Sequence, residues 1–181
     1  MKTSIDEEAH TGPYIVDACT VIDYQKTEDW VLKLFSQHFG PVYVAAPVLE
    51  DEIRHFTSED CKRLRISVAQ PELAQVVEAG KWQGPISRYD ALTLIMARDN
   101  GWTIISGDKA LSRQAEIENV KSIRGLRPMI MLVSGGHLPG DKAITIAQRM
   151  RALSPGFLNT KVLEAFRKEI REATTRRSRK R

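Results

Sequence analysis

Tyr14-Ile15-Val16-Asp17-Ala18-Cys19-Thr20 decides the fold, because it is a short apolar run that reads as a buried strand and ends on a carboxylate. An acid directly after such a strand stands where a sheet opens to solvent, the place where α/β proteins put their chemistry. Further acids occupy matching positions beside apolar segments, at Asp51 or Glu52, at Asp90 and at Asp108. Converging carboxylates repel one another unless a hard cation lies between them.

Outward from that stretch the chain alternates. Thr27 reads as an N-cap with Glu28 and Asp29 in the first turn of a helix that shows Trp30, Leu34 and Phe35 on one face and stops near Gly40. Val42 to Ala45 follows as a strand, and Pro47 opens a helix carrying Val48, Leu49, Ile53 and Phe56 at helical spacing. Ile66 to Val68 is a short strand and Pro71 starts a small helix to Gly80. The stretch from Ser87 to Gly101 is the most strongly patterned, with Ala91, Leu92, Ile95 and Met96 on adjoining turns and Gly101 as the C-terminal stop. Trp102 to Ile105 and Val120 to Ile123 are the remaining strands, with a helix after Asp108 between them. This alternation predicts right-handed crossovers and a parallel sheet flanked by helices, whose carboxyl-end loops share one face. Beyond Gly125 the pattern is helical: Leu126 to Val133, a Gly135-Gly136 break, Ala143 to Leu153, and Lys161 to Glu172.

With 181 residues, 42% of them hydrophobic, the chain has the size of one well-buried domain. Its expected organisation is a flexible leader over residues 1–12, a core over 13–125, a helical extension of the same domain over 126–173, and a disordered basic tail over 174–181. The tail concentrates Arg176-Arg177-Ser178-Arg179-Lys180-Arg181 in a chain of net charge +4, which suits either a polyanion or a solubilising terminus. Two cysteines, Cys19 and Cys61, and no apolar signal stretch place the chain in a reduced cytoplasm, and no stretch reaches membrane-spanning length.

Each acid has an ordinary reading. Asp17 starts a turn, Asp90 completes a capping box with Ser87, and Asp108 caps a helix. Taken together they carry more, because two follow strands on one sheet face and the third opens a crossover helix leading into it. Carboxylates so placed hold Mg²⁺ or Mn²⁺ and leave positions for water, which the ion acidifies for attack on phosphorus. Thr20 and Ser106 add hydroxyls beside Asp17 and Asp108, able to orient a carboxylate or a water.

Four segments, Ile15 to Asp23, Val42 to Ile53, Asp90 to Ala97 with Gly101, and Ile104-Ile105-Ser106-Gly107-Asp108-Lys109-Ala110-Leu111, resemble the four successive motifs of PIN domains. The resemblance covers roughly Tyr14 to Gly125. The part beyond it looks like the helical extension of one uncharacterised, VapC-like PIN subgroup. It implies a three-layer α/β/α PIN-like fold with a central parallel sheet and a Mg²⁺- or Mn²⁺-dependent nuclease that cuts RNA, often the toxin of a toxin–antitoxin pair. Asp17, Asp90 and Asp108 match the motif acids, as metal ligands, and Ser106 matches the usual Ser or Thr two places before the last. The second-motif acid falls on Asp51 counted from Val48-Leu49 and on Glu52 counted back from Ile53; Glu52 is slightly preferred, because it keeps the glutamate and its following apolar residue. Arg54, Arg88 and Lys109 are candidate phosphate contacts or plain solvated charges. An antitoxin protein and a second copy of the chain are the partners left open beside RNA.

Other chemistries fit less well. His10, His38, His55 and His137 lack zinc-ligand spacing, and Cys19 beside Asp17 has its thiolate disfavoured. Gly135-Gly136 has no phosphate-loop fingerprint around it. Glu50 and Asp23 read as solvated. Trp30, Trp82 and Trp102 read as core, with Trp82 in its lysine-flanked loop the one to test for base stacking. A receiver-type phosphoacceptor wants an acidic pair after the first strand, and an aspartate-nucleophile phosphatase wants Asp-x-Asp, which Ala18 and Cys19 deny. A PIN-like module that binds RNA or a protein without cutting stays open, as does an RNA-processing nuclease without an antitoxin.

Overall fold

In the computed structural model, which describes residues 12–53, 56–153 and 158–179, the run Tyr14–Val16 is β1, the central strand of a five-stranded parallel sheet. All three residues are fully buried because β1 is paired on both edges and covered on both faces. The other strands are β2 (Val42–Ala45), β3 (Ile66–Ala69), β4 (Thr103–Ser106) and β5 (Ser122–Arg124), in the spatial order β3-β2-β1-β4-β5. Val16 pairs with Ile105, so the first residue beyond β1, Asp17, lies level with the end of β4, and its amide donates to the Ile105 carbonyl at 3.3 Å.

The chain leaves β1 toward β2 and β3 and later returns to β4 on the opposite side. This reversal of strand order makes the carboxyl ends of β1 and β4 a topological switch point. Helices α1 (Ala18–Thr27), α2 (Trp30–Phe39), α3 (Ala46–Asp51) and α4 (Ser58–Leu64) belong to the first half of the wind. Helices α5 (Leu73–Gly80), α6 (Arg88–Asn100) and α7 (Lys109–Ile117) belong to the second, and right-handed crossovers put the two sets on opposite faces of the sheet. α8 (Arg127–Gly135), α9 (Gly140–Leu153) and α10 (Thr160–Arg179) follow, with α8 packed on α2, α9 on α1 and α10 across both α8 and α9. The architecture is the expected three-layer α/β/α fold around a parallel sheet, with a C-terminal helical extension. Among the described residues, no helix is long and apolar enough to cross a membrane.

α6 is built as its sequence predicts. The Ser87 hydroxyl accepts from the Asp90 amide and the Asp90 carboxylate accepts from Ser87 in return, a capping box, while Gly101 ends the helix in the left-handed region at φ +67°. Elsewhere the structure corrects the reading. Thr27 closes α1 instead of capping the next helix, and its hydroxyl donates to the Asp23 carbonyl at 2.8 Å. The helix opened by Pro47 ends at Asp51, so Ile53 and Phe56 are buried from the connection that leads to α4, a helix absent from the sequence reading.

The basic tail is corrected as well: α10 continues to Arg179, through most of the segment expected to be disordered. Leu163, Phe166, Ile170 and Ala173 are buried at helical spacing, so one apolar stripe docks the helix well beyond its midpoint. Arg177 packs against the end of α8, where a Cβ added to Gly136 would lie 2.5 Å from its guanidinium carbon. Residues 180–181 lie outside the described residues, as do 1–11 of the expected leader, with His10, and Arg54 and His55. Gly12, the leader's last residue, is tied down by donation from its amide to the Phe39 carbonyl at 2.7 Å.

Candidate active site

The switch point is occupied by Asp17, whose side chain is 1% exposed. One carboxylate oxygen, Oδ1, accepts from the Thr20 amide at 2.8 Å, so Asp17 is the N-cap of α1. The other, Oδ2, accepts a short hydrogen bond from the Ser106 hydroxyl at the end of β4. The Asp108 amide in turn donates to Ser106 Oγ at 2.9 Å. Ser106, itself fully buried, therefore joins the first and last acidic segments across the β1–β4 seam. The Thr20 hydroxyl behaves differently. Its Oγ1 is buried against Gly125 and meets no hydrogen-bonding geometry among the described residues, so it is the amide of Thr20 that makes the bond to Asp17.

Burial pushes the Asp17 carboxyl up to about 6, with Asp90 adding to the shift and hydrogen bonds from Ser106 and Thr20 opposing it. Asp90 is also raised, by burial first and by the charge of Asp108, despite its place in the first turn of α6, where the helix dipole and Ser87 favour the anion. Glu52, the C-cap of α3, is raised by burial, then by Asp90, Asp17 and Asp51, with Arg88 the opposing cation. Three carboxyls from three segments thus feel one another's charge. Asp51 has a different setting: it is exposed, and its carboxylate accepts a short hydrogen bond from the Tyr89 hydroxyl, while Arg88 lies over the Tyr89 ring at 4.6 Å. Of the two candidates for the second-motif acid, it is Glu52 that shares the field of Asp17 and Asp90.

Asp108 caps α7. Its Oδ1 accepts from the amides of Ala110 at 2.5 Å and Leu111 at 3.0 Å. Asp90 Oδ2 is likewise committed to Ser87. These caps hold the acids back from one another, and among the described residues no three acidic, histidine or cysteine side chains are gathered closely enough to hold an ion. The expected convergence of Asp17, Asp90 and Asp108 is present as shared electrostatics and not as a closed ligand group. Asp108 Oδ2 and Asp90 Oδ1 carry no hydrogen bond among the described residues, and the donor set is wholly carboxylate oxygen. That chemistry fits a hard divalent ion, which would relieve the repulsion recorded in the raised carboxyls.

One acid near the site was misjudged, and one thiol behaves as its sequence neighbours predict. Asp23 reads as solvated but is buried, 9% exposed, about one and two-thirds turns along α1 from Asp17. Cys19 is exposed as a residue, yet the protein around its thiol partly excludes water, and that, then Asp17, Asp90, Asp23 and Glu52, pushes the thiol up to about 12, which makes it a poor nucleophile. Its place between Asp17 and Asp23 on α1 was the available signal that four acids surround it. Trp82 packs partly against the core with its indole N–H buried and without a partner among the described residues, and Trp102 stacks on Tyr43 at 4.4 Å, so both rings serve packing. His38 and His137, far apart in sequence, stack at 3.4 Å where α2 meets the loop after α8.

No family model matches this chain, and no curated protein matches it in sequence. Among solved structures it is similar to a PilT N-terminus domain protein from the hyperthermophilic archaeon Sulfolobus solfataricus P2. The two are 11% identical, with a TM-score of 0.46, and the match covers 64% of this chain and 89% of that chain. The layers of the present fold are those that the motif resemblance implies.

Proposed function

We propose that this chain is a PIN-like, Mg²⁺- or Mn²⁺-dependent endoribonuclease that hydrolyses RNA phosphodiester bonds. The observation that carries the proposal is the buried Asp17 carboxylate at the β1–β4 switch point, raised to about 6 and coupled to Asp90. A protein tolerates such a group where function requires it. Asp17, Asp90 and Asp108 would hold the ion, with Glu52 completing the acidic wall. When bound, it would polarise the phosphodiester and lower the pKa of a water molecule. Ser106 keeps Asp17 in one orientation and ties it to the Asp108 loop, so the acids of β1 and β4 stay in register. Asp90 and Glu52 border the same space and, as raised carboxylates, are suited to take a proton from an attacking water.

The toxin role, the VapC-like subgroup, a cognate antitoxin, a homodimer and a cytoplasmic site are finer parts of the proposal. The motif resemblance supports the first three, and two free thiols, exposed Cys19 and buried Cys61, support the last.

The deciding experiment incubates wild type and Asp17→Asn with structured and unstructured RNAs in Mn²⁺, in Mg²⁺ and in a chelator. The wild type should release fragments bearing 5′-phosphates only with divalent ion present, and Asp17→Asn should fall to background. Equal cleavage by both proteins, or none by either across the panel, sinks the assignment.

A further inference from the structure

α7 carries Lys109, Ser112, Arg113 and Glu116 at i, i+3, i+4 and i+7, hence on one stripe. That stripe faces Ser122 and Arg124, which alternate to the same side of β5, and together they line a groove of about 410 Å³. β5 is an edge strand, hydrogen-bonded only to β4, so the groove is open along its outer side. Lys109, Arg113 and Arg124 are all exposed. None of the three makes an ion pair or hydrogen bond through its side chain to another described residue. Arg63, Arg98, Arg127 and Arg149, by contrast, each meet a carboxylate at 3.1 Å or less. Even Glu116, in the same groove, forms no ion pair with Arg113. Three cations gathered on one groove without a neutralising carboxylate raise its positive potential, which attracts an anionic ligand.

The position of the groove matters as much as its charge. Arg124 is the register partner of Ser106, the residue that holds Asp17, so the basic groove begins one strand spacing, about 4.8 Å, from the acidic seam. Lys109 directly follows Asp108, and both stand at the start of α7. Two hydroxyls, Ser112 and Ser122, are interleaved with the cations, and Glu116 lies at the end of the stripe away from Asp108. The charge thus grades from acids at the switch point, through Lys109 and Arg124, to Arg113, and closes at Glu116.

We infer that this groove is the path of the sugar–phosphate backbone of a single-stranded RNA flanking the bond placed at the acids. Lys109, Arg113 and Arg124 contact successive phosphates, Ser122 supplies a hydrogen bond to phosphate or ribose, and Ser112, whose hydroxyl donates to the Asp108 carbonyl at 2.8 Å, is left to accept from a ribose hydroxyl. The acidic seam cannot attract a polyanion by itself, and the cations one strand away overcome that repulsion, so that affinity and chemistry are divided between neighbouring surfaces. The inference rests on the nucleic-acid reading of the acidic site, and its test is made separable from cleavage.

Fluorescence anisotropy with a labelled single-stranded oligoribonucleotide, in chelator, measures binding without chemistry. The triple variant Lys109→Gln/Arg113→Gln/Arg124→Gln should bind at least about tenfold more weakly at 50 mM salt, and its salt slope should flatten by about 2, at roughly 0.7 per lost phosphate contact on a single strand. The charge-preserving variant Lys109→Arg/Arg113→Lys/Arg124→Lys should retain most of the affinity, which separates charge from folding. A control that removes three exposed lysines elsewhere, Lys81→Gln/Lys161→Gln/Lys168→Gln, should change binding less than twofold. Equal loss in the groove and control triples, or no RNA binding by wild type, overturns the inference. Groove-dependent binding by a wild type that never cleaves with Mn²⁺ or Mg²⁺ would support the groove and end the nuclease proposal. Cleavage by wild type with unchanged binding and cleavage in the groove triple would do the reverse. A DNA oligonucleotide of the same sequence asks whether the 2′-hydroxyl is read as well as the phosphate; weaker DNA binding supports a ribose contact from Ser112 or Ser122, and equal binding overturns that part.

Discussion

The two ends of α6 carry the same chemical groups in opposite states. At its N-terminus Asp90 is raised, by burial and by Asp108, and it raises Asp17 and Glu52 in turn. At its C-terminus Arg98 grips Glu78 through two hydrogen bonds of 2.8 and 2.9 Å and also holds Asp99 at 2.9 Å. There the carboxyls are lowered, Glu78 by Arg98 and Asp99 by Gln75 and then Arg98. One end of the helix satisfies its charges and the other stores their repulsion. Within one helix, only Ala91 to Ala97 stand between Asp90, in a cluster that opposes the fold, and Arg98, in one that serves it, and only the opposing one needs a function to explain it.

The contrast breaks first, and with the largest effect, at Glu52 and Asp51. Glu52 lies in the shared field of Asp17 and Asp90, whereas Asp51 is exposed and occupied by Tyr89. Glu52→Gln should therefore lower RNA cleavage by about 10–100-fold, the range typical of a group supporting a metal site, and Asp51→Asn should stay within about threefold of wild type. Single-turnover rates at saturating Mn²⁺ decide it. A larger effect at Asp51 would move the site's wall to the Tyr89 side and undo the assignment of Glu52.

A second test uses stability in place of activity. The Asp17 carboxyl titrates at about 6 in the fold against 3.8 in its ordinary state, so the folded protein binds that proton more tightly than the unfolded chain. The sign follows from linkage: no penalty exists below about pH 4, where both states are protonated, and the penalty grows as pH rises and is complete above about pH 6. At about 1.4 kcal/mol per unit it reaches ~2–3 kcal/mol. Asp17→Asn keeps an oxygen for the Thr20 amide and, with the bond reversed, an N–H for Ser106 Oγ, so it removes the charge at the loss of one acceptor for the Ser106 hydroxyl proton. Urea unfolding in chelator should find Asp17→Asn more stable than wild type by that amount at pH 8, with the curves converging toward pH 4. A variant less stable than wild type at pH 8 would mean that the acid serves the fold after all.

How much of this was legible in the sequence depended on whether a signal was local. Ser87, Asp90 and Gly101 bracket α6 because caps are contacts between near neighbours. Asp17, Asp90 and Asp108 were legible for the same reason: each sits at a boundary between an apolar run and a cap. α1 was missed because its acids and polar residues, Asp23, Gln25 and Lys26, interrupt the apolar face, while Thr27-Glu28-Asp29 imitates a helix start. Asp51 and Glu52 differ by about 100° around a helix, so the choice between them turned on where α3 ends. Ile53 and Phe56 hid that end, since they continue the helical spacing while the chain has already left the helix. The hydrogen bond from Ser106 to Asp17 spans 89 residues and the groove between α7 and β5 depends on strand order, and neither has a local signature.

The smallest expected effect lies at the satisfied end of α6. Glu78 is held below its ordinary range by Arg98, so this pair contributes stability at neutral pH that is lost as pH falls through the lowered value. Its side chain is 45% exposed and that of Arg98 is 33% exposed, so solvent screens the pair and the gain is about 0.5–1 kcal/mol despite two-pronged geometry. Glu78→Gln should lower the urea midpoint slightly at pH 7, and the difference from wild type should shrink as pH falls through the lowered Glu78 value, the reverse of the trend at Asp17. RNA cleavage should be unaltered, because nothing at that end of the helix reaches the switch point. Opposite pH trends in two substitutions tied to opposite ends of one helix would be hard to obtain from general destabilisation, which moves both in one direction. If Glu78→Gln instead changed cleavage as strongly as Glu52→Gln, α6 would be transmitting strain along its length, and the division between a satisfied end and a reactive one would fail.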